Sequence, residues 1–217
     1  MIPLICLPKK VILASASPRR RELLARMGIS FTVLPSSVEE DSREDCPAGT
    51  ASEQVCCLAG RKARDTASRI SEDCLVIGAD TVVVREGEIM GKPRSREEAI
   101  AMLQSLQGGW HDVLTGVALI DRRLEYKDIS YACTHVEMAH LDMRQIEKYT
   151  DSGEYAGKAG GYGIQGMAAA FIPRIEGCYF NVVGLPVHLL YSMLLRYNSC
   201  MEFHGGVIES GNTGNNQ

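Results

Sequence analysis

Val11-Ile12-Leu13-Ala14-Ser15-Ala16-Ser17-Pro18-Arg19-Arg20-Arg21 decides how this chain is read. An apolar run of strand type, Val11 to Ser15, gives way to Ser17-Pro18, a good N-cap followed by the residue favoured in a helix's first turn. The helical pattern continues through Leu23, Leu24 and Met27 and is closed by Gly28. Three arginines therefore crowd a helix N-terminus, where the dipole is already positive and prefers acidic side chains. That placement opposes local stability and suits an anion, because exposed N–H groups and guanidinium forks converge on one point. The segment reads as strand, phosphate-type loop and helix, with a multiply anionic ligand expected at the join.

Outward from this segment, helix-type and strand-type patterns alternate, which predicts an α/β architecture. Phe31 to Leu34 reads as a strand and residues 48–70 as a helix. Cys74 to Ala79 is a buried-type strand that runs through Asp80-Thr81 into Val82-Val83-Val84 and a tight turn at Glu86-Gly87. Gly91-Lys92-Pro93 is a loop, and Ser95 with Glu98 forms a capping-box pattern for a helix ending near Gln107. Two longer strands, Val113 to Ile120 and Tyr131 to Ala139, join through Asp121-Arg122-Arg123. Asp142 caps a short helix to Tyr149, and a Gly-dense segment follows from Gly153 to Gly166. Phe171 to Ile175 and Tyr179 to Val183 read as a last hairpin across Glu176-Gly177, and Pro186 starts a helix ending near Tyr197. The expected organisation is an extension over residues 1–10, one domain over 11–198, and a disordered tail over 199–217, rich in Gly and Asn from Gly205.

Lys and Arg number 23 against 27 Asp and Glu, a net charge of -4, so broad binding of a DNA or RNA polymer is not expected. A compact basic pocket remains compatible with that balance. No apolar run reaches the length of a bilayer span, and Met1 to Leu7 is too short for a secretory segment and precedes Lys9-Lys10. The 8 cysteines lack metal-binding spacing and read as buried, reduced thiols of a cytoplasmic protein.

Asp80 ends an apolar strand, where ligand chemistry on α/β sheets is sited, and its carboxylate suits a divalent cation or general-base work on a water. A capping or turn-forming Asp is the competing reading. Thr81 beside it offers a hydroxyl to a ligand. Glu39 and Glu40, with Asp41, could add metal oxygens, although an acidic cluster on a loop is far more often a solvated surface. Arg61-Lys62-Ala63-Arg64 reads as a solvent-facing helix surface. Lys92, between Gly91 and Pro93, is placed to meet a phosphate as a point charge. In Gly160-Gly161-Tyr162-Gly163-Ile164-Gln165-Gly166 the glycines allow close backbone approach, and the Gln165 amide carries the donor and acceptor needed to read a base edge. The spacing matches neither the dinucleotide fingerprint nor the Walker loop. The histidines show no metal spacing, Trp110 reads as packing, and Ser15 and Ser17 fit capping and phosphate contact better than nucleophilic catalysis.

Taken in order, Ser15 to Arg20, Gly78 to Thr81, Gly91 to Pro93 and Lys158 to Gly166 resemble the motifs of the Maf family of nucleoside triphosphate pyrophosphatases, with Val183 to Pro186 like its closing motif. The resemblance spans Val11 to about Tyr197. It implies the two-lobed mixed α/β fold shared with inosine triphosphate pyrophosphatases, with a central nucleotide cleft. It also implies cleavage to monophosphate and pyrophosphate with Mg2+ or Mn2+, in a cytoplasmic homodimer linked to septum formation and cell division. On the family's pattern Asp80 falls on the catalytic proton acceptor, and Arg20, Lys62 and Lys92 on phosphate-facing positions. Arg19, Thr81 and Gln165 fall on positions tied to substrate choice. Arg19 and the Ile164-Gln165-Gly166 ending are similar to the dTTP/UTP subgroup, whereas the subgroup for 7-methyl-GTP carries an aromatic residue at the position of Arg19. A modified-nucleotide pyrophosphatase, or a nucleotide-binding regulator of division, is the alternative.

Overall fold

The computed structural model describes Ile5 and residues 7–39, 46 and 49–205 of the chain. Its first unit is the one expected: strand β1 (Lys10–Leu13), a loop, and helix α1 (Pro18–Arg26), whose Arg20 N–H donates to the Ser17 cap at 3.5 Å. Strand β2 (Phe31–Val33) follows, then helix α2 (Ala51–Ser68), opened by a capping box in which Thr50 and Glu53 satisfy each other's N–H groups. Strands β3 (Cys74–Arg85) and β4 (Glu88–Met90) form the expected hairpin. Helix α3 (Arg96–Leu106) is capped by Ser95, but Glu98 turns to the Arg94 N–H, so only half of the predicted box forms. Strands β5 (Gly109–Asp121) and β6 (Tyr126–Met138) pair over 13 residues, each longer than predicted. Helix α4 (Met143–Asp151), strand β7 (Arg174–Glu176) and helices α5 (Tyr179–Val183) and α6 (Val187–Gly205) complete the order.

The sheet runs β2-β1-β3-β5-β6-β7, parallel among β2, β1 and β3 and antiparallel beyond, so the α/β class is observed as a mixed sheet. On one face α1 and α6 bury Leu23, Leu24, Leu190, Met193 and Leu194 against Val11, Leu13, Leu75 and Ile77. On the other face α2 brings a stripe of Ala59, Ala63 and Ala67 onto Ile12, Val76 and Ala118. Small residues let α2 lie directly on backbone: a Cβ at Gly78 would fall 2.4 Å from the Ala59 carbonyl oxygen, and one at Gly116 would fall 2.3 Å from that of Val55. A separate core, built on Val83, Leu103, Leu106, Val113, Val136, Ile146 and Tyr149, gathers α3 and α4 around the far ends of β3 and β5. Two packed bodies thus share the long strands.

Between them the sheet has a notch. β1 pairs with β3 only over Cys74–Ile77, and β4 only over Val83–Arg85. From Gly78 to Val82 no strand among the described residues covers that edge, while β5 pairs along the other. Asp80 and Thr81 sit in the gap.

Four expectations are corrected. Tyr179 to Val183 is a helix, not the second arm of a hairpin. Buried Asn181 anchors it by donating to the Val113 carbonyl at 2.8 Å and to Thr134 Oγ1 at 3.0 Å, and Gly184 ends it at φ 117°. A short apolar run carries no period that separates the two structures. Cys46 and Cys57 form a disulfide, 6.1 Å between Cα atoms, and of the free cysteines described only Cys74 is buried; proximity in space, invisible in spacing, joins the pair. Trp110 is exposed beneath the Arg174 guanidinium, because residues alternate faces along β5 and its turn falls outward. Helix α6 also continues past Tyr197, and residues 206–217 lie outside the described residues.

At the opposite end of β1 from the notch, Lys9 Nζ donates to Asp121 Oδ2 at 2.7 Å and to Asp73 Oδ1 at 2.6 Å, and the Tyr197 hydroxyl donates to Asp121 Oδ2 at 2.7 Å. Burial alone would raise the Asp121 carboxyl, but the bonds from Lys9, Tyr197 and the Leu124 N–H outweigh it and hold it below the ordinary carboxylate range. A depressed folded pKa gives stability that is present above the unfolded value, near 4, and lost as pH falls through the folded one. Lys9→Met should cost about 3 kcal/mol at neutral pH by stranding a buried carboxylate. Urea denaturation at pH 7 and pH 3 checks this: the mutant's deficit should shrink in acid, and equal midpoints for both proteins at pH 7 would refute it.

Candidate active site

The notch is filled from the first helix. Arg20 is buried, and its guanidinium serves four acceptors: Nε donates to the Gly184 carbonyl at 2.8 Å, Nη1 to the Ala79 carbonyl at 2.9 Å and to Ser15 Oγ at 3.2 Å, and Nη2 to Thr81 Oγ1 at 2.9 Å. A planar fork with five donors can do this, where a single ammonium could not. Thr81 faces Thr115 as a cross-strand pair with hydroxyls 3.0 Å apart, and Thr115 donates to the Asn181 carbonyl at 3.2 Å.

On the other face of β3, Lys62 Nζ donates to Asp80 Oδ1 at 2.7 Å, with both side chains nearly excluded from solvent. Asp80 Oδ2 is buried without a hydrogen-bond partner. Lys62 thus corrects the solvent-face reading of Arg61 to Arg64. It lies on the buried stripe with Ala59, Ala63, Thr66 and Ala67, and helical spacing from those residues was the signal that marks it as inward.

The opposite wall is the Gly-rich segment. Gly160 N–H donates to the Gly91 carbonyl at 2.9 Å, tying that segment to the Lys92 loop, and a Cβ at Gly160 would strike Val83 at 2.8 Å. Tyr162 is buried, its hydroxyl 2.7 Å from His111 Nε2. Burial first, and then Arg85, pushes the His111 pKa down to about 4, so the ring is neutral at physiological pH.

These walls enclose a cleft of about 750 Å3, within the range of small-molecule sites. Ser15, Arg19, Arg20, Lys62, Asp80, Thr81, Lys92 and Gln165 all line it. Glu39 does not: it is exposed and outside the lining, while Val38 beside it contributes. Glu40 and Asp41 lie outside the described residues. Among the described residues no three His, Cys, Asp or Glu side chains cluster as a ready metal cage. Arg21, for which no role was expected, is exposed on α1.

Two lining residues were missed as site residues. Lys158 opens the Gly-rich motif and lines the cleft; burial, and then the neighbouring Arg19 charge, lowers its pKa. Burial likewise lowers that of Arg19. Glu154 lines the same wall and has no sequence motif of its own. The cleft therefore presents five cationic side chains, Arg19, Arg20, Lys62, Lys92 and Lys158, against two acidic ones, Asp80 and Glu154. On a chain whose net charge is -4, that local excess favours a polyanion.

The chain is similar to several known proteins. The family model described as "Maf-like protein" matches residues 10–197. A dTTP/UTP pyrophosphatase of Pelotomaculum thermopropionicum is 48% identical over 190 residues, covering 87% of this chain and 97% of that protein. A dTTP/UTP pyrophosphatase of Thermoanaerobacter sp. (strain X514) is 46% identical over 188 residues, covering 86% and 96%. Among solved structures, a nucleoside-triphosphatase / dITP/XTP pyrophosphatase of Mycobacterium abscessus aligns with 94% of this chain and 100% of its own at 14% identity and a TM-score of 0.40.

Because Arg20 serves protein acceptors on three other segments, Arg20→Lys should lower stability by about 2–3 kcal/mol through the stranded carbonyls. Arg19→Lys, half-buried at the cleft wall, should change it by under about 0.5 kcal/mol. Chemical denaturation of the two variants checks the contrast; equal losses would show that the Arg20 fork does not hold the notch.

Proposed function

The chain belongs to the Maf-like protein family, and on that premise we propose that it hydrolyses nucleoside triphosphates, dTTP and UTP by preference, to the monophosphate and pyrophosphate. The observation that carries the reading is the buried Lys62–Asp80 pair, which leaves Asp80 Oδ2 unpartnered on a residue that lines a cleft rich in cationic side chains. Lys62 fixes the carboxylate, so that Oδ2 is the oxygen left to act. Asp80 takes a proton from water as the water oxygen bonds to the α-phosphorus, and the bond from that phosphorus to the bridging oxygen breaks with release of pyrophosphate. Lys92 meets the polyphosphate charge. Ser15 and Arg20 shape the loop beneath it, and the Arg20 fork also holds Thr81. Thr81 and Gln165 read the base, and Arg19 supports a pyrimidine over a methylated guanine.

A divalent cation fits this donor set. Mg2+ and Mn2+ take carboxylate oxygen, and Mg2+ sites typically combine one or two carboxylates with substrate phosphates and water. Asp80 would hold the ion with substrate phosphates and water; of the two expected further carboxylates, Glu39 is exposed outside the cleft lining and Glu40 lies outside the described residues. When bound, the ion neutralises phosphate charge and polarises the phosphoryl oxygens. The same reading carries a homodimeric, cytoplasmic enzyme; no helix among the described residues is long and apolar enough to cross a membrane.

Asp80→Asn should reduce pyrophosphate release from dTTP and UTP by about 100-fold or more, with Mg2+ or Mn2+ present. Colorimetric pyrophosphate detection across a panel of UTP, dTTP, CTP, GTP and 7-methyl-GTP measures it. An undiminished mutant rate removes Asp80 from the mechanism, faster turnover of 7-methyl-GTP than of UTP removes the pyrimidine assignment, and tight binding without product restores a purely regulatory role.

A further inference from the structure

Glu154 is a carboxylate in a cleft that otherwise selects for anions, and its surroundings say what it does there. Its Oε2 accepts the Met167 N–H at 2.9 Å, two residues beyond Gln165. Its Oε1 lies 3.4 Å from the buried Tyr149 hydroxyl, at the end of α4. Its own carbonyl accepts from Lys158 Nζ. The loop is wrapped tightly on this group: a Cβ at Gly166 would lie 2.2 Å from Glu154 Oε1, and one at Gly163 would lie 2.6 Å from the Lys158 side chain. A side chain at Gly166 would therefore meet the Glu154 carboxylate and displace it from its place against the loop. The residues on either side of Gln165 are both disposed around groups of the Glu154–Lys158 turn.

We propose that Glu154 is a positioning residue that sets the place of Gln165 by holding the backbone of the 163–167 loop, and that it marks the nucleobase end of the cleft. The second part follows from place: the loop that Glu154 holds through the Met167 N–H carries Gln165, the residue proposed to read the base. The inference rests on the reading of the cleft as a nucleotide site only for its second part; the holding of the loop is a property of the unliganded protein.

Two variants separate charge from hydrogen bonding. Glu154→Gln keeps an oxygen acceptor for the Met167 N–H, and Glu154→Ala removes it. Amide hydrogen exchange of the unliganded protein reads the loop directly: peptides covering 163–167 should exchange at least about tenfold faster in Glu154→Ala and within about threefold of wild type in Glu154→Gln. In pyrophosphate-release assays Glu154→Ala should raise KM for UTP about tenfold with a smaller change in kcat, and should narrow the UTP-to-CTP ratio of kcat/KM. Glu154→Gln should keep that ratio. Unchanged exchange in Glu154→Ala overturns the positioning role. Changed exchange with an unchanged KM and ratio overturns the assignment of the base end. Wild-type protein that releases no pyrophosphate from any nucleotide overturns the proposed function and leaves the exchange result to judge the loop.

Discussion

The guanidinium of Arg20 stands where a strand would otherwise pair with β3, and the geometry of the cleft follows from that substitution. A sheet of uniform strands would cover Gly78 to Val82 with backbone and leave no opening for a ligand. Here β1 stops at Leu13 and β4 begins its pairing only at Val83, so the edge between them needs another donor. Arg20 supplies it to Ala79 and, with the same planar group, fixes Ser15, Thr81 and the Gly184 turn. The arginine that makes the helix start look unfavourable in isolation is thereby committed chiefly to protein. Its neighbour Arg19 keeps its head in the cleft.

The opposite face obeys a steric constraint. α2 can approach β3 and β5 so closely only because Gly78 and Gly116 have no side chains and the helix presents alanines. At that distance Lys62, three residues after Ala59, reaches Asp80. A buried ion pair is weak evidence of stability, since desolvation offsets much of the attraction, but it orients one carboxylate oxygen and leaves the other without a partner.

Much of this was legible in the chain, and the failures have physical causes. The strand–loop–helix start, the Lys92 loop and the Gln165 loop each announce themselves through local chemistry, and the structure gathers them into one cleft with Asp80, which lies inside β3 opposite Gly116 and not at a strand end as expected. Lys62 was misread because a cluster of basic residues looks solvated unless its helical phase is checked against the alanine stripe. The segment Tyr179 to Val183 was misread because five residues cannot display a period, and the buried Asn181 contacts that fix the helix come from β5 and β6. Glu154 could not be found at all. Its role depends on a loop folding back on it, and nothing in Ser152-Gly153-Glu154-Tyr155 shows that.

The interrupted edge of β3 has a consequence for how the protein behaves in a crowded solution. An uncovered stretch of strand backbone is a template onto which a foreign chain can add, and aggregation begins at such places. This gap is only Gly78 to Val82 long, is bounded by β1 and β4, and has the Ala79 carbonyl already taken by a buried arginine. A single cationic side chain thus blocks strand addition at the position where a small ligand still has access. The opening that admits a nucleotide-sized molecule is closed to another polypeptide.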